Sequence, residues 1–383
     1  MLQKKVMSVF GTRPEAIKMA PLVKGLEMIE EFESIVTVTA QHREMLDQVM
    51  KLFDIEPQFD LNVMKQDQTL VDITNSVLRG LTDVFNEVKP DIILVHGDTT
   101  TTFAASLAAF YQKIKIGHIE AGLRTGNKYS PYPEEINRHM TGILADLHFA
   151  PTSLSKENLL KENIGKKNIF VTGNTVIDAL LSIVDDNFTF NNEVLNKLDF
   201  ANKKIVLLTS HRRENLGKPM ENIFNAVREL VIENQDIELV FPVHLNPKVR
   251  EIANYSLKGI ERVHLIEPLD YQPFANLMAR SYFVLTDSGG IQEEAPGLGK
   301  PVLVLRDTTE RPEAVAAGTV KLVGTDSELI YKTADSLIKD RKKYEEMANA
   351  VNPYGDGNAV KRIINRLVFE FGFSTVAGEE YRS

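Results

Sequence analysis

The sequence predicts an α/β protein made of two successive doubly wound parallel sheets, and three observations carry that reading. Short β-branched runs alternate with amphipathic segments along the whole chain, which is the pattern of repeated βαβ units. The run Tyr282-Phe-Val-Leu-Thr286 is apolar until it stops at Ser288-Gly289-Gly290, as expected of a buried strand feeding a strand-to-helix turn. At 383 residues the chain is long enough for two domains of ordinary size, each with its own core.

Taken in order, the strands of the first half are expected at 5–10, 35–40, 91–96, 114–119 and 147–150, and those of the second at 204–209, 237–243, 262–266, 282–286 and 301–305. Between the halves, Ile169-Phe-Val-Thr172 leads into Gly173-Asn-Thr and later a polar, Asn-rich stretch at 187–202. The hinge is therefore expected near residue 170, with a first domain at 1–170 and a second at 171–366. Val360, Ile363, Ile364, Leu367, Val368 and Phe371 recur at helical spacing, so a helix is expected over 358–371. The polar tail at 374–383 is expected to be disordered.

Composition narrows the function classes. Hydrophobic content of 43% and charged content of 25% suit a globular protein, and a net charge of −9 with a pI near 5.5 argues against nucleic acid or an anionic membrane as partner. With no cysteine, thiolate catalysis, disulfides and Cys-ligated zinc are excluded. The amino-terminal apolar stretch ends at Gly11-Thr-Arg-Pro, too short for a signal peptide, and no run approaches the roughly 20 apolar residues of a membrane span, so a cytoplasmic location is expected.

Open α/β sheets bind ligands beyond the carboxyl ends of their strands, which turns the strand positions into site candidates. After the first strand, Arg13 and Lys18 are placed to meet phosphate, although either would also serve as a solvated turn charge. The strand at 91–96 ends at Gly97-Asp98; Asp98 is a candidate acid or base, or simply the cap of the next helix. Glu120, followed by Ala-Gly122, has no comparable capping explanation. Glu134 and Arg138 lie four apart on one helix face, as functional neighbours or as a surface ion pair. In the second half His211 and His244 each follow a strand of one sheet. Ser288, Gly289 and Gly290 open a helix whose free N–H groups suit a diphosphate, and Glu293 and Glu294 inside it could accept from a sugar diol.

Carboxylates plus histidines are the equipment of general acid–base chemistry. The first turn lacks the G-x-G-x-x-G of a dinucleotide fold, so no redox cofactor is expected, and Gly297-Leu-Gly299-Lys300-Pro301 lacks the spacing and hydroxyl of a Walker phosphate loop. No H-E-x-x-H pair is present and no metal is expected, although His96, Asp98, His118 and Glu120 could share faces of two adjacent strands.

In this order, FGTRPEAIKMAPL, HGDTTTTFAASLAAF, HIEAGLRT, SPYPEEINRH, HRRENLG, PVHLNP and DSGGIQEEAPGLGKPVLVLRDTTERPEA resemble the non-hydrolysing bacterial UDP-N-acetylglucosamine 2-epimerases, from about Val6 to the segment at 352–357. The resemblance implies two Rossmann-like domains facing a central cleft, the glycosyltransferase-B type, with the chain returning to the first domain through 367–383. It implies interconversion of UDP-GlcNAc and UDP-ManNAc without a cofactor, by loss of UDP to give 2-acetamidoglucal and its re-addition, supplying ManNAc for surface polysaccharide or teichoic acid. Asp98, Glu120, Glu134 and His211 match the acid–base positions. Arg13, Lys18, Arg138, His244, Ser288, Gly289, Gly290, Glu294 and Arg311 match substrate contacts, with Leu269 and Phe274 at the uracil. Gln41, Glu134, Arg212 and His244 match a second UDP-GlcNAc site that activates such enzymes, but Glu44 and Asp67 stand where the family pattern has a Gln and an Arg. A homodimer is expected. A glycosyltransferase of the same fold and a non-catalytic UDP-sugar sensor are the alternatives; the first would transfer sugar without changing C2, and the second would bind and do nothing further.

Overall fold

The computed structural model describes residues 3–40, 43–65 and 67–382, which form two units, one running to residue 182 and resuming at 354, and one of 183–353. The first unit is a seven-stranded parallel sheet in the order β3-β2-β1-β4-β5-β6-β7. Its strands are β1 Lys4–Phe10, β2 Phe32–Val38, β3 Phe59–Asp60, β4 Ile92–His96, β5 Lys115–Ile119, β6 Leu147–Ala150 and β7 Ile169–Val171. The second is a six-stranded parallel sheet in the order β10-β9-β8-β11-β12-β13. Its strands are β8 Lys204–Thr209, β9 Ile237–Pro242, β10 Val263–Ile266, β11 Phe283–Thr286, β12 Val302–Val304 and β13 Val320–Leu322. Both are doubly wound, as the sequence predicts.

Burial on both faces explains the strand sequences. All five residues of β4 are buried, and so are five of the six in β8. On one face of the first sheet, Met7, Val9, Ile93 and Val95 pack against Val77, Leu81 and Phe85 of helix Leu70–Val88 and the alanines of helix Thr100–Tyr111. Helix Arg13–Glu27 buries Ala16, Met19, Ala20, Leu22, Val23 and Leu26, and Val360 and Ile364 of helix Ala359–Glu370 lie over its Gly25. In the second unit, Val206, Leu208, Leu239, Phe241, Phe283 and Leu285 share a core with Phe224 and Leu230 of helix Lys218–Glu233.

Four expectations change. The division falls at residues 182 and 183 instead of 170 and 171, because β7 completes the first sheet and Ile177, Ala179 and Leu180 of helix Thr175–Ile183 are fully buried. The chain rejoins the first unit at Tyr354, ahead of the expected 367, since Ala359, Ile363 and Ile364 are already buried there. Strands β3, β7 and β13, two or three residues each, are too short to show a period. Over residues 374–382 the tail is ordered, not disordered: Tyr381 N–H donates to Val171 O at 2.7 Å, Glu380 pairs with Lys156 at 2.6 Å, and Tyr381 is 7% exposed. The single backbone hydrogen bond from Tyr381 to the end of β7 and the Glu380 ion pair leave no apolar pattern that a sequence could show.

In each sheet the order reverses beside the first strand: between β1 and β4, and between β8 and β11. Loops leaving the carboxyl ends of those strands diverge, which opens a crevice for ligands. Arg13 and Asp98 follow one such pair of strands; His211 and Ser288 follow the other.

Candidate functional site

In the first unit the turn after β1 is fixed by Gly11 and Glu15. A Cβ at Gly11 would sit 2.0 Å from Thr39 Oγ1 and 2.8 Å from Thr101 Oγ1, so only glycine fits. Glu15, 2% exposed, accepts from Gly11 N–H at 3.0 Å and Thr12 N–H at 2.8 Å, and from the hydroxyls of Thr99 at 2.7 Å and Thr102 at 3.0 Å. It thereby pins the loop carrying Arg13 to the loop carrying Asp98. Burial pushes the Glu15 carboxyl above its ordinary pKa despite these donors. Glu15 was not among the expected site residues; the capping-box spacing Thr12-x-x-Glu15 is the signal that could have found it.

Asp98 is not a helix cap. Thr99 caps helix Thr100–Tyr111, accepting from Thr102 N–H at 3.1 Å, which leaves the Asp98 carboxylate free to pair with Arg138. Arg138, buried to 6% exposure, also donates to Glu120 O and lies 3.3 Å from Glu120 Oε1. It does not pair with Glu134 in its own helix: the cations and acids here are matched across elements. Glu120 is itself 6% exposed, with Lys18 and Asn174 on Oε2, the latter at 2.9 Å, and His96 Nε2 at 3.8 Å. Its backbone sits at φ +60°, a left-handed conformation costly for a side-chain-bearing residue and concentrated at functional sites. Burial alone would raise the Glu120 pKa, but the Lys18 and Arg138 cations outweigh it and hold the group well below the usual carboxylate range.

Two acids that adjoin in sequence have separate surroundings. Glu135 accepts from Thr125 and Gly126 N–H, both at 3.0 Å, and so anchors the loop after Glu120. Glu134 keeps one buried carboxylate oxygen, Oε2, with no hydrogen-bond partner among the described residues. Arg13, half-buried, likewise has no ionic or hydrogen-bond partner among them.

Three histidines lie in the same sheet. His118 bonds Gly97 O at 2.8 Å instead of joining His96, Asp98 and Glu120, and among the described residues no three His, Asp or Glu stand together as a metal site. Burial depresses the pKa of His96 and His148 to about 4 and that of His118 well below its ordinary value. Unfolding would return each to about 6.5. Their contribution to stability is therefore complete above about pH 6.5 and is lost as pH falls towards 4, with a combined slope of up to about 4 kcal/mol per pH unit. Denaturant midpoints measured from pH 7 to pH 5 should follow this, and His148→Phe should remove about one third of the slope.

In the second unit the organising group is Asp287, fully buried at the end of β11. It accepts from Ser210 Oγ at 3.0 Å, His211 N–H at 2.9 Å, Arg212 N–H at 3.0 Å and Asn215 Nδ2 at 3.1 Å. The loop after β8 is thus folded around one carboxylate. Asp287 Oδ1 also lies 3.3 Å from His211 Nδ1, and the His211 ring stacks on His244 with centroids 5.6 Å apart. Burial lowers the His211 pKa, opposed by Asp287. His244 Nδ1 accepts from Asn246 N–H at 3.1 Å, which leaves Nε2 to carry the proton of the neutral ring.

The helix expected at Gly289-Gly290 starts at Ile291, and Gln292 is the first residue in it to donate, to Gly289 O. A Cβ at Gly289 would come no closer than 3.9 Å to Arg212 or 4.0 Å to Glu310, and one at Gly290 no closer than 3.9 Å to Glu294. The fold itself has no need of glycine at either position, so the missing side chains leave open backbone at the head of this turn. Glu293, 2% exposed, pairs with Arg311, so neither is an unengaged sugar or phosphate contact. Glu294 accepts from the Tyr271 hydroxyl at 3.0 Å. Leu269 and Phe274 are half-buried, the latter in the first turns of helix Tyr271–Arg280. Arg212 donates to Asp287 O at 3.3 Å; Gln41 lies outside the described residues.

The structure thus gathers Lys18, Asp98, Glu120 and Arg138 in the first unit, and His211, Arg212, His244 and the Gly289 turn in the second. Sequence reasoning missed Asn174, Asp287 and Tyr271, which hydrogen-bond candidate residues directly, and Glu15, which ties together the loops that carry Arg13 and Asp98. A family model described as UDP-N-acetylglucosamine 2-epimerase matches residues 24–368. The chain belongs to that family. It is an enzyme of the isomerase class, and its two parallel-sheet units are of the glycosyltransferase-B type. A UDP-N-acetylglucosamine 2-epimerase of Bacillus subtilis is 61% identical over 373 residues, 97% of each chain. A solved structure of an enzyme with the same description has a TM-score of 0.93 and 58% identity, covering 100% of both chains. A Neisseria meningitidis UDP-GlcNAc 2-epimerase, solved bound to UDP-GlcNAc, has a TM-score of 0.82 and 54% identity over 95% of this chain and 100% of its own.

Proposed function

We propose that this epimerase interconverts UDP-GlcNAc and UDP-ManNAc by eliminating UDP and adding it back, and so supplies ManNAc units for a bacterial surface polymer. The observation that carries the reading is the ion-paired set of buried Glu120 and Arg138 with part-buried Asp98 and Lys18, acids and cations together beyond the carboxyl ends of β4 and β5. C2 of an N-acetyl sugar is not next to a carbonyl, so simple deprotonation there is unfavourable. Elimination avoids the difficulty: a base takes the C2 proton, the C1–O bond breaks with its electrons leaving on UDP, and a C1=C2 double bond forms. Return of a proton to the other face of C2, with UDP oxygen adding to C1, gives the epimer.

In this scheme Asp98, Glu120, Glu134 and His211 are the acid–base groups, and Glu134 has a carboxylate oxygen with no hydrogen-bond partner among the described residues. Arg13, Ser288, Gly289 and Gly290 hold the diphosphate and Glu294 the ribose, with Leu269 and Phe274 at the uracil; Lys18, Arg138 and Arg311 act from their ion pairs. Synthesis of UDP-GlcNAc with ¹⁸O in the bond between C1 and phosphate tests the route. Elimination predicts scrambling of the label into non-bridging phosphate positions, and a label that stays in place during turnover excludes it.

We further propose a homodimer, supported by the exposed Ile136, Met140 and Ile143 on one face of helix Glu134–Leu144. UDP-GlcNAc also serves as activator through Gln41, Glu134, Arg212 and His244, but weakly. Glu44 and Asp67, both exposed, place acids where a cation and an amide would favour a diphosphate. The expected result is a nearly hyperbolic rate curve, with the reverse reaction proceeding from UDP-ManNAc alone. Strongly sigmoidal kinetics and a reverse reaction that needs added UDP-GlcNAc would contradict it.

A further inference from the structure

Asn174 takes part in no chemistry assigned so far, yet it is 2% exposed and its Nδ2 donates to Glu120 Oε2 at 2.9 Å. It stands just beyond β7, at the foot of helix Thr175–Ile183, and its own Oδ1 accepts from Val176 N–H at 3.2 Å, which sets the amide so that its NH₂ faces Glu120. The backbone beneath it is held by the returning chain. Asn174 N–H donates to Tyr354 O at 2.6 Å, and Tyr354 is the first residue of the chain's return to this unit. The neighbouring Gly173, at φ +85°, packs so closely on that segment that a Cβ would lie 3.2 Å from Gly355 Cα. Arg362 closes the other side, donating to Thr172 O at 3.2 Å while paired with Asp356 at 2.6 Å.

We infer that Asn174 is a positioning residue for the epimerisation, fixing the orientation and charge state of Glu120 and tying both to the chain segment at 354–357. The inference rests on the proposed role of Glu120. Glu120 faces Lys18 from helix Arg13–Glu27, His96 from the end of β4, Arg138 from helix Glu134–Leu144, which it shares with Asp98, and Asn174. Lys18 and Arg138 supply charge from two sides, and Asn174 supplies the neutral donor that holds Oε2 in one direction. A hydrogen bond given to a carboxylate favours its ionised form, so removing this donor raises the pH at which Glu120 takes up a proton.

The test compares kcat, KM and the pH profile of kcat for the full chain and for Asn174→Ala, Asn174→Asp and Glu120→Gln, with UDP binding as the check on folding. Asn174→Ala should lower kcat on the order of 10- to 100-fold with little change in KM, and should move the acid limb of the kcat profile to higher pH. Asn174→Asp keeps the shape, loses the donor and adds a like charge, so its kcat should fall further; should the Ala variant not fold, the Asp variant carries the test. Folded Asn174 variants with the parent's kcat and an unmoved acid limb, beside an inactive Glu120→Gln, would overturn the inference and leave the role of Glu120 intact. Full turnover by Glu120→Gln would overturn the role of Glu120 itself.

Discussion

Glu120→Gln should lower kcat by about 10³-fold, within the range general acid–base groups contribute. UDP affinity should change less than threefold or so, because the contacts proposed for uracil and ribose and most of those for the diphosphate lie in the second unit, and loss of a transition-state interaction lowers kcat without weakening ground-state binding. The same substitution removes the charge facing Lys18 and Arg138, both largely buried. Breaking a buried pair by neutralising one partner leaves the other charge uncompensated, so the urea midpoint should fall by the equivalent of about 3 kcal/mol. Steady-state kinetics and a denaturation curve on one preparation separate the two effects. Retained turnover with lowered stability would reduce Glu120 to a counter-ion.

Asp287→Ala should destabilise the second unit by roughly 4 kcal/mol. The carboxylate is fully buried and accepts from two backbone N–H groups and two side chains, and each buried donor stranded by its removal costs about 1–3 kcal/mol, part of which water entering the gap recovers. His211 would lose the group beside its Nδ1, and the loop carrying Arg212 would lose its centre. Turnover should drop even at temperatures where the chain stays folded. Asp287→Asn, which keeps one acceptor oxygen, should lie between parent and Ala on both scales. Denaturant unfolding followed by UDP titration of each variant reads both.

How much of this was legible in the sequence depended on whether a feature leaves a periodic or local trace. The buried strands β4 and β8 were legible because burial on both faces forces an apolar run, and β8 begins and ends where expected. Strands β3 and β13, at two and three residues, leave no such trace. The unit boundary was misplaced because Thr175–Ile183 reads equally well as the first helix of a second domain; what assigns it is tertiary burial of Ile177 and Leu180. Asp98, Glu120, His211 and His244 were legible from the rule that strand carboxyl ends carry ligands. Their partners were not. Nothing local shows that Arg138 chooses Asp98 and Glu120 over Glu134 one turn away, or that Glu293 is spent on Arg311. Asn174 lies 54 residues from Glu120, and only the adjacency of β5, β6 and β7 brings the two together.

Proton NMR of UDP-GlcNAc incubated with the purified protein in D₂O, without added metal or NAD, tests the central claim most directly. The account predicts that UDP-ManNAc appears with deuterium at C2, that deuterium also enters C2 of the recovered UDP-GlcNAc, and that Glu120→Gln suppresses both. UDP-GlcNAc that remains unchanged and fully protonated at C2, while still showing saturation transfer from the protein, would contradict it and leave a nucleotide-sugar binder without the acid–base chemistry assigned to Asp98, Glu120, Glu134 and His211.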